Sequence, residues 1–431
     1  MSSSSAIQAV RGMNDVLPDE IAYWQHIETI WRRLMTQYAY QEIRFPLVEA
    51  ASLFQRSVGE TSDIVEKETY TFADRNGDLL TLRPEGTAVC VRALVQHSVL
   101  QQQPVQRLWY MGPMFRHERP QKGRYRQFHQ LGLEAFGMHG AAIEAEILLL
   151  TTRLWQELGL SALFKLQINS LGTPGTRAAY RAALVAYFTQ HHAQLDEDSQ
   201  RRLDKNPLRI LDSKNPAMTA VLQNVPQMTD YLDEVARAQL NQLCAYLDKA
   251  GIAYEINSRL VRGLDYYTGL VFEWVTEHLG AQATVCGGGR YDNLVAELGG
   301  PASEAVGFSI GMERLILLLQ AQQNLSSPVP DVYLLNVGEL AEQNALKLAE
   351  DLRLALPDLS LLVHCGGGGF KSQFKKADKS GAKIALILGD DEAKQTTVTV
   401  KYLREEREQV TVPQYEMVEF FKKELGLRIE D

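Results

Sequence analysis

A chain of 431 residues, 45% hydrophobic and 23% charged, has the composition of an ordinary globular protein and room for two or three domains of roughly 100–200 residues each. Its net charge of −9 excludes a global basic field, so nucleic acid can be met only through local basic patches. Cys90, Cys244, Cys286 and Cys365 form no CxxC pair, and no run approaches the ~20 apolar residues of a membrane span, which argues against a zinc ribbon, a disulfide framework and a membrane protein.

In chain order, the opening MSSSSAIQAVRG lacks the apolar core of a secretory signal, so the expected setting is the cytoplasm. Pro18 and Asp19 open a helix, because proline suits the first turn and a carboxylate suits the positive end of the helix dipole. Trp24, Ile27, Trp31, Leu34 and Tyr38 then recur every three or four residues and form one buried stripe. IRFPLVE, 43–49, reads as a strand, but Pro46 cannot donate to a ladder, so it belongs at an edge or interrupts pairing. YTFADRNGDLLTLRPEGT, 70–87, predicts a hairpin turned at Asn76-Gly77, followed by a helix to about Gln96. Two readings of Glu85 and Thr87 stay open: capping of that helix, and binding of a substrate ammonium by Glu85 with help from the Thr87 hydroxyl.

Two predicted strands, about 105–118 and 127–136, flank a loop in which Arg116, Arg119, Lys122, Arg124 and Arg126 oppose the single carboxylate Glu118. Guanidinium forks match pairs of anionic oxygens, so such a loop suits phosphates. At period two, Leu131, Leu133 and Ala135 form an apolar face, and Phe128, Gln130, Gly132, Glu134 and Phe136 form the other. The second face reads as a ligand platform: Phe128 to stack on a ring, Gln130 and Glu134 to bond polar groups, and Gly132 to leave the floor open. An ordinary amphipathic edge hairpin is the alternative.

An amphipathic helix through Ile143, Ile147, Leu150 and Leu154 leads to a strand at 163–170. From about 173 to 250 the strand pattern disappears and a helical insertion is expected, with RRLDKNPLRILDSKNP, 201–216, more plausibly a solvated surface than an RNA contact. In LVRGLDYYTGLVFEWV, 260–275, Gly263 permits a close turn while Arg262, Tyr266 and Tyr267 supply a cation and two phenols; the tyrosines could equally be strand residues. VCGGGRYDNLVAELGG, 285–300, places three glycines ahead of a helix, read here as close backbone approach to a bound amino acid with Tyr291 at the pocket wall. AVGFSIGMERLILLL, 305–319, runs from strand to helix with Arg314 in the first turn, where it opposes the dipole unless an anion is present. NLSSPVPD, 324–331, reads as a linker. Beyond it VYLLNV, SLLVHC and IALILG alternate with helices, a βαβ pattern that implies a parallel sheet, and TVTVKYL, 397–403, adds a strand. FKSQFKKADKSGAK places Phe370, Phe374 and Ala377 on one helix face and Lys371, Lys375 and Lys379 on another, which is either a solvated face or a phosphate contact.

Several of these segments resemble a known family. FRHER at 115–119, the basic loop and the strand with Phe128 resemble motif 2 of the class II aminoacyl-tRNA synthetases; the N-terminal helix with its proline-containing strand resembles motif 1, and 305–319 resembles motif 3. LRPEGT and RGLDYYTG look like the peptides that set the histidyl-tRNA synthetases apart within that class. The resemblance implies an α+β protein: an antiparallel-sheet catalytic domain over 1–325 with the helical insertion, then an α/β anticodon-binding domain over 331–431. It implies that Arg116 holds the ATP α-phosphate, that Glu118 and Phe128 bind adenine, and that Arg314 holds the γ-phosphate. Arg262 would sit by the α-phosphate and carboxylate in place of a metal, with Tyr266, Tyr267 and Tyr291 beside Glu85, Thr87, Gln130 and Glu134 around histidine. Arg119, Gln121, Lys122 and Arg124, with Lys371 and Lys375, would meet the tRNA. ATP with Mg²⁺, L-histidine and the histidine tRNA are the implied substrates, with no structural metal, in a homodimer formed through motif 1. The rival is a non-catalytic regulatory paralogue of histidine biosynthesis; such proteins generally lose motif residues, whereas Glu85, Arg116, Arg262 and Arg314 are all present here.

Overall fold

The protein is described by a computed structural model covering residues 6–58, 64–213, 215–280 and 284–426, so the first five residues of the serine-rich opening lie outside the described residues. The chain divides into two compact units, Met1–Leu325 and Ser326–Asp431.

Among the described residues the first unit is built on an eight-stranded sheet. Its order is Gln41–Glu42, Gln106–Phe115, Gln127–Phe136, Ala305–Gly311, Thr284–Arg290, Thr268–Val275, Lys165–Ser170 and Tyr254–Ile256. The five inner pairings are antiparallel and the two outermost are parallel. Alternation sorts the side chains: Leu131, Leu133, Phe272, Trp274, Phe308 and Ile310 are buried in one core. Gln130, Glu134, Glu273 and Ser309, one residue out of step, belong to the other face.

The core face is covered by helices. Ile21–Gln37 buries Trp24, Ile27, Trp31 and Leu34, the stripe expected from their spacing, and Trp31 meets Trp109 and Phe308 edge-on at 6.3 and 6.1 Å. Ala141–Glu157 and Met312–Gln322 complete that layer with Ile147, Leu154, Leu315 and Leu319. The helical stretch 173–250 has two parts with different partners. Glu234–Lys249 contributes Ala236, Leu240, Leu243 and Leu247 to the sheet's own core and forms the crossover between the parallel strands Lys165–Ser170 and Tyr254–Ile256. The preceding helices, from Pro174–Gln190 to the turn Met228–Tyr231, instead bury Tyr180, Leu184, Phe188 and Met228 in a second cluster with Tyr266, Tyr267 and Tyr291.

IRFPLVE does not form one strand. Gln41–Glu42 and Val48–Ala50 lie on either side of the proline, and the Arg83 Nη1 takes the free carbonyls of Phe45 and Pro46 at 3.0 and 3.2 Å. The hairpin of Tyr70–Ala73 and Leu79–Leu82 forms as expected and pairs with Val48–Ala50. Its turn is organised by Asp74, whose carboxylate accepts from the amides of Asn76 and Asp78 at 2.8 and 3.0 Å, with Gly77 at φ +90°.

In the second unit the sheet order is Leu361–Val363, Val332–Val337, Ile384–Gly389, Thr397–Tyr402 and Val410–Pro413. The first three strands are parallel, but the last two run antiparallel, so the sheet is mixed. Between Ile384–Gly389 and Thr397–Tyr402 stands only the short helix Asp390–Gln395, less than the dozen or so residues a parallel crossover requires.

Candidate active site

On the face of the first sheet opposite its helical layer lies a cavity of about 320 Å³. Its walls include Glu85, Thr87, Arg116, Glu118, Arg124, Phe128, Gln130, Arg262, Tyr266, Tyr267 and Arg314. These come from four separated segments that the sheet brings together.

One end is cationic. Arg116, just past its strand, donates from Nε to the Pro84 carbonyl at 2.9 Å and holds its guanidinium 5.2 Å from the centre of the Phe128 ring. Glu118 pairs with Arg124 Nε at 2.6 Å and lies 4.0 Å from Arg116 Nη1. Arg314, in the first turn of Met312–Gln322, donates to the carbonyls of Gly123, at 3.2 Å, and Thr284. Burial lowers the Arg314 pKa, and the nearby charges of Arg124 and Arg116 lower it further against the opposing Glu118. Arg124, grouped by sequence with the outward loop, lines the cavity, whereas Arg119, Gln121 and Lys122 are exposed.

The middle is organised by Arg262. It pairs with Glu273, whose second oxygen accepts from Thr284 Oγ1 at 2.7 Å, and it sits 5.6 Å from the centre of the Tyr267 ring. Burial works against its charge, but Tyr267 and Glu273 outweigh burial and raise its pKa. A Cβ on Gly287 would fall 2.5 Å from Arg262 Nη1, so this glycine makes room for the guanidinium; one on Gly263 would meet nothing within 4 Å. The expectation of a glycine run ahead of a helix is thereby corrected. Gly287, Gly288 and Gly289 lie inside the strand Thr284–Arg290, and the helix Leu294–Glu297 starts only after Tyr291. Gly288 faces the backbone of the next strand, where a Cβ would be 2.1 Å from the Gly307 carbonyl.

The other end is polar and deeply buried. Glu85 accepts from the amides of Thr87 and Ala88, both at 2.8 Å, which caps the helix Thr87–Gln96 while its carboxylate still lines the cavity. Burial raises its pKa, and those two amides partly offset the rise. Glu134 lies behind the wall at zero exposure and accepts from the hydroxyls of Thr87 at 2.7 Å, Tyr110 at 3.0 Å and Tyr291. Burial pushes its carboxyl up to about 8 despite those three donors. Tyr291 is also buried behind the wall, with its ring 5.6 Å from that of Tyr266. Tyr266 and Tyr267 are not strand residues: they occupy the turn before Thr268–Val275, with ring centres 4.7 Å apart. Gly132 does not leave an open floor, because the Tyr110 ring fills the space above it. Gln130 Oε1 and Arg262 Nε, both on cavity residues, are buried without a hydrogen-bond partner.

Sequence reasoning missed Tyr110 and Glu273. Glu273 had a signal, being the one carboxylate in the apolar run VFEWV. Tyr110 had none, since it packs across a neighbouring strand. In the second unit, Lys371 and Lys375 are exposed on Phe370–Lys379, whose opposite side buries Gln373 and Ala377. Among the described residues there is no group of three or more His, Cys, Asp or Glu side chains that could hold a metal ion, and no helix long and apolar enough to cross a membrane.

An antiparallel sheet backed by helices, with arginines from the hairpin, the glycine-flanked loop and the following helix converging on its open face, defines a class II aminoacyl-tRNA synthetase. Residues 12–315 match the family model for histidyl-tRNA synthetase, and residues 331–424 match that for an anticodon binding domain. The chain belongs to the histidyl-tRNA synthetase family and is a histidine–tRNA ligase. The apo histidyl-tRNA synthetase of S. aureus is 36% identical, with a TM-score of 0.81 over 97% of this chain and 100% of that one. The histidyl-tRNA synthetase of Nostoc sp. shares the fold at 21% identity and a TM-score of 0.68, over 97% of this chain and 100% of its own. An ATP phosphoribosyltransferase regulatory subunit/histidyl-tRNA synthetase from Bacillus halodurans C also shares the fold, at 24% identity and a TM-score of 0.63, over 90% of this chain and 99% of that one. The regulatory reading gains no better support from these comparisons.

Proposed function

We propose that this one cavity activates histidine with ATP and then presents the adenylate to tRNA. The observation that carries the reading is the gathering of Arg116, Arg124 and Arg314 around Glu118, where the Arg314 charge is disfavoured by burial and by its own neighbours. A polyphosphate relieves that conflict. Arg116 and Arg262 then take the α-phosphate, Arg314 the γ-phosphate, and Phe128 and Glu118 the adenine. Mg²⁺ would come with the nucleotide and offset charge on its pyrophosphate portion, and Glu273 would be the cavity carboxylate able to face it.

Histidine binds at the polar end. Glu85 and Thr87 receive its ammonium, and Gln130 gains the partner its buried Oε1 lacks. Glu134, directly behind the wall and bonded to Thr87, Tyr110 and Tyr291, accepts an imidazole N–H where the ring displaces one of those hydroxyls, with Tyr266, Tyr267 and Tyr291 enclosing the ring. The histidine carboxylate oxygen attacks the α-phosphorus in line, the bond to pyrophosphate breaks, and histidyl-adenylate forms. A terminal ribose hydroxyl of the tRNA then attacks the acyl carbon and AMP departs with the bonding pair. Positioning and charge stabilisation suffice for both steps, so no protein general base is assigned. Arg119, Gln121 and Lys122 guide the acceptor end, while Arg124 stays with the phosphates in the cavity; Lys371 and Lys375 contact phosphates near the anticodon. The enzyme works as a cytoplasmic homodimer, with residues 1–325 as its catalytic domain and 331–431 as its anticodon-binding domain.

Pyrophosphate exchange measured separately with each of the twenty amino acids tests the reading. Exchange with histidine alone is expected, and preferential exchange with any other amino acid overturns it.

A further inference from the structure

The turn that carries Tyr266 and Tyr267 is held from outside the catalytic sheet. Residues 261–267 belong to neither helix nor strand, so the loop lacks the ladder of bonds that fixes its neighbours. The Asp265 amide reaches the Val58 carbonyl at 3.4 Å and Arg262 pairs with Glu273; the other side-chain partners come from the helical insertion. Arg177, on Pro174–Gln190, donates from Nη1 to the Tyr267 carbonyl at 3.0 Å. Arg209, in the 3₁₀ turn Pro207–Asp212, donates to the Gly263 carbonyl, and its Nε lies 3.9 Å from Asp265 Oδ1. Asn206 donates to the same Asp265 oxygen at 2.9 Å. Three insertion side chains therefore grip the loop at both ends and in the middle. Arg177 and Arg209 are half-buried whereas Gly263 and Asp265 are exposed, so the contacts run along the rim of the loop, and burial lowers the Arg177 pKa. Bonds from a guanidinium to a carbonyl are charge-assisted and stronger than neutral ones.

We propose that the insertion is a positioning clamp for the amino-acid end of the site: Arg177, Asn206 and Arg209 hold the 263–267 loop in the conformation that closes the cavity with Tyr266 and Tyr267, while Arg262 is held separately by Glu273. The proposal rests on the assignment of these tyrosines to the histidine pocket. A loop released from the clamp occupies its closed conformation for only a fraction of the time, and apparent affinity falls by that fraction. Histidine bears this loss. ATP does not, because Phe128, Glu118 and Arg314 are carried by other segments.

The test uses the full-length enzyme with Arg177→Met, Arg209→Met and Arg209→Lys, and with Tyr266→Phe and Tyr267→Phe in parallel. Histidine-dependent pyrophosphate exchange gives KM for histidine and for ATP. Each methionine variant is expected to raise KM for histidine roughly tenfold and leave KM for ATP within about twofold, with Arg209→Lys recovering part of the loss. Amide hydrogen exchange of residues 263–267 should speed up in the methionine variants while the strand Thr268–Val275 stays protected. Unchanged histidine KM in both methionine variants, with a raised KM in the tyrosine variants, overturns the clamp and leaves the pocket assignment standing. Unchanged histidine KM in both tyrosine variants overturns the pocket assignment and the clamp together. Equal losses for histidine and ATP that track a lower Tm mean that the arginines only support the fold, and overturn the clamp.

Discussion

Tyr110 crosses the adjacent strand to lay its ring over Gly132 and sets its hydroxyl 3.0 Å from Glu134 Oε1. A Cβ on Gly132 would lie 2.1 Å from Tyr110 Cζ, and one on Gly86 would lie 2.2 Å from Cε2, so the ring is wedged between two bare backbones. Gly132→Ala is therefore expected to cost about 1–3 kcal/mol, because the ring must move off its site. Combining it with Tyr110→Leu should cost clearly less than the two single losses added together. Denaturant melts of the three variants measure this, and strict additivity would mean that the ring is not what the glycine accommodates.

The same carboxylate gives the protein a pH signature. The Glu134 carboxyl titrates near 4.5 when unperturbed, and burial raises it to about 8 in the folded protein. Between those values the folded state binds more protons than the unfolded state, so stability falls as pH rises from about 4.5 to about 8 and levels off above. Glu134→Gln removes that titration. Its Tm relative to the parent should climb between pH 5 and pH 8 in ligand-free protein, and a constant offset would assign the titration elsewhere.

Glu134 also bears on amino-acid selection. A site that hydrogen-bonds a polar substrate group rejects analogues lacking it far more strongly than the ~1–3 kcal/mol available to an apolar pocket. Glu134→Ala should weaken kcat/KM for histidine much more than for ATP and erode discrimination against isosteric analogues. Gln130→Ala should do so more mildly, since Gln130 offers one unpartnered oxygen while Glu134 also holds the Thr87, Tyr110 and Tyr291 hydroxyls. Equal losses for both substrates would assign this strand face to the nucleotide.

Arg262 and Gly287 form a second pair that can be tested together. Arg262→His should fold and bind histidine yet lose adenylate formation by at least ~100-fold, the scale of removing one preorganised charge stabiliser. Gly287→Ala, which leaves the guanidinium in place but pushes a Cβ against it, should reproduce part of that loss with little change in histidine affinity. Single-turnover adenylation measures both. A normal rate in the arginine variant would remove it from the chemistry.

Removing the second unit separates activation from charging. Residues 1–325 should keep histidine-dependent pyrophosphate exchange and charge tRNA poorly, because the cavity lies wholly within the first unit. Charging with unchanged rate and affinity after truncation would show that the C-terminal unit does not help to hold tRNA.

What could be read from the chain alone was whatever depends on neighbours in sequence. The stripe of Trp24, Ile27, Trp31 and Leu34 announced a buried helix face, and the alternation around Gln130 and Glu134 separated the core side of a strand from the ligand side. Local excess charge marked Arg116 and its loop, and the peptides LRPEGT and RGLDYYTG marked the family before any fold was known. The tertiary structure decided what depends on residues far apart in sequence. Tyr110 fills the space above Gly132 because the hairpin register sets them opposite each other, which no spacing along the chain records. Gly287 serves Arg262 from inside a strand, although glycines beside a short helix pointed to a loop. The helix Glu234–Lys249 joined the sheet's core rather than the insertion, because its apolar side found the same layer as Ala141–Glu157. Residue type and period specify which surfaces must be buried; only the closed packing of those surfaces specifies which side chains then meet, because each contact depends on every other element having already found its place.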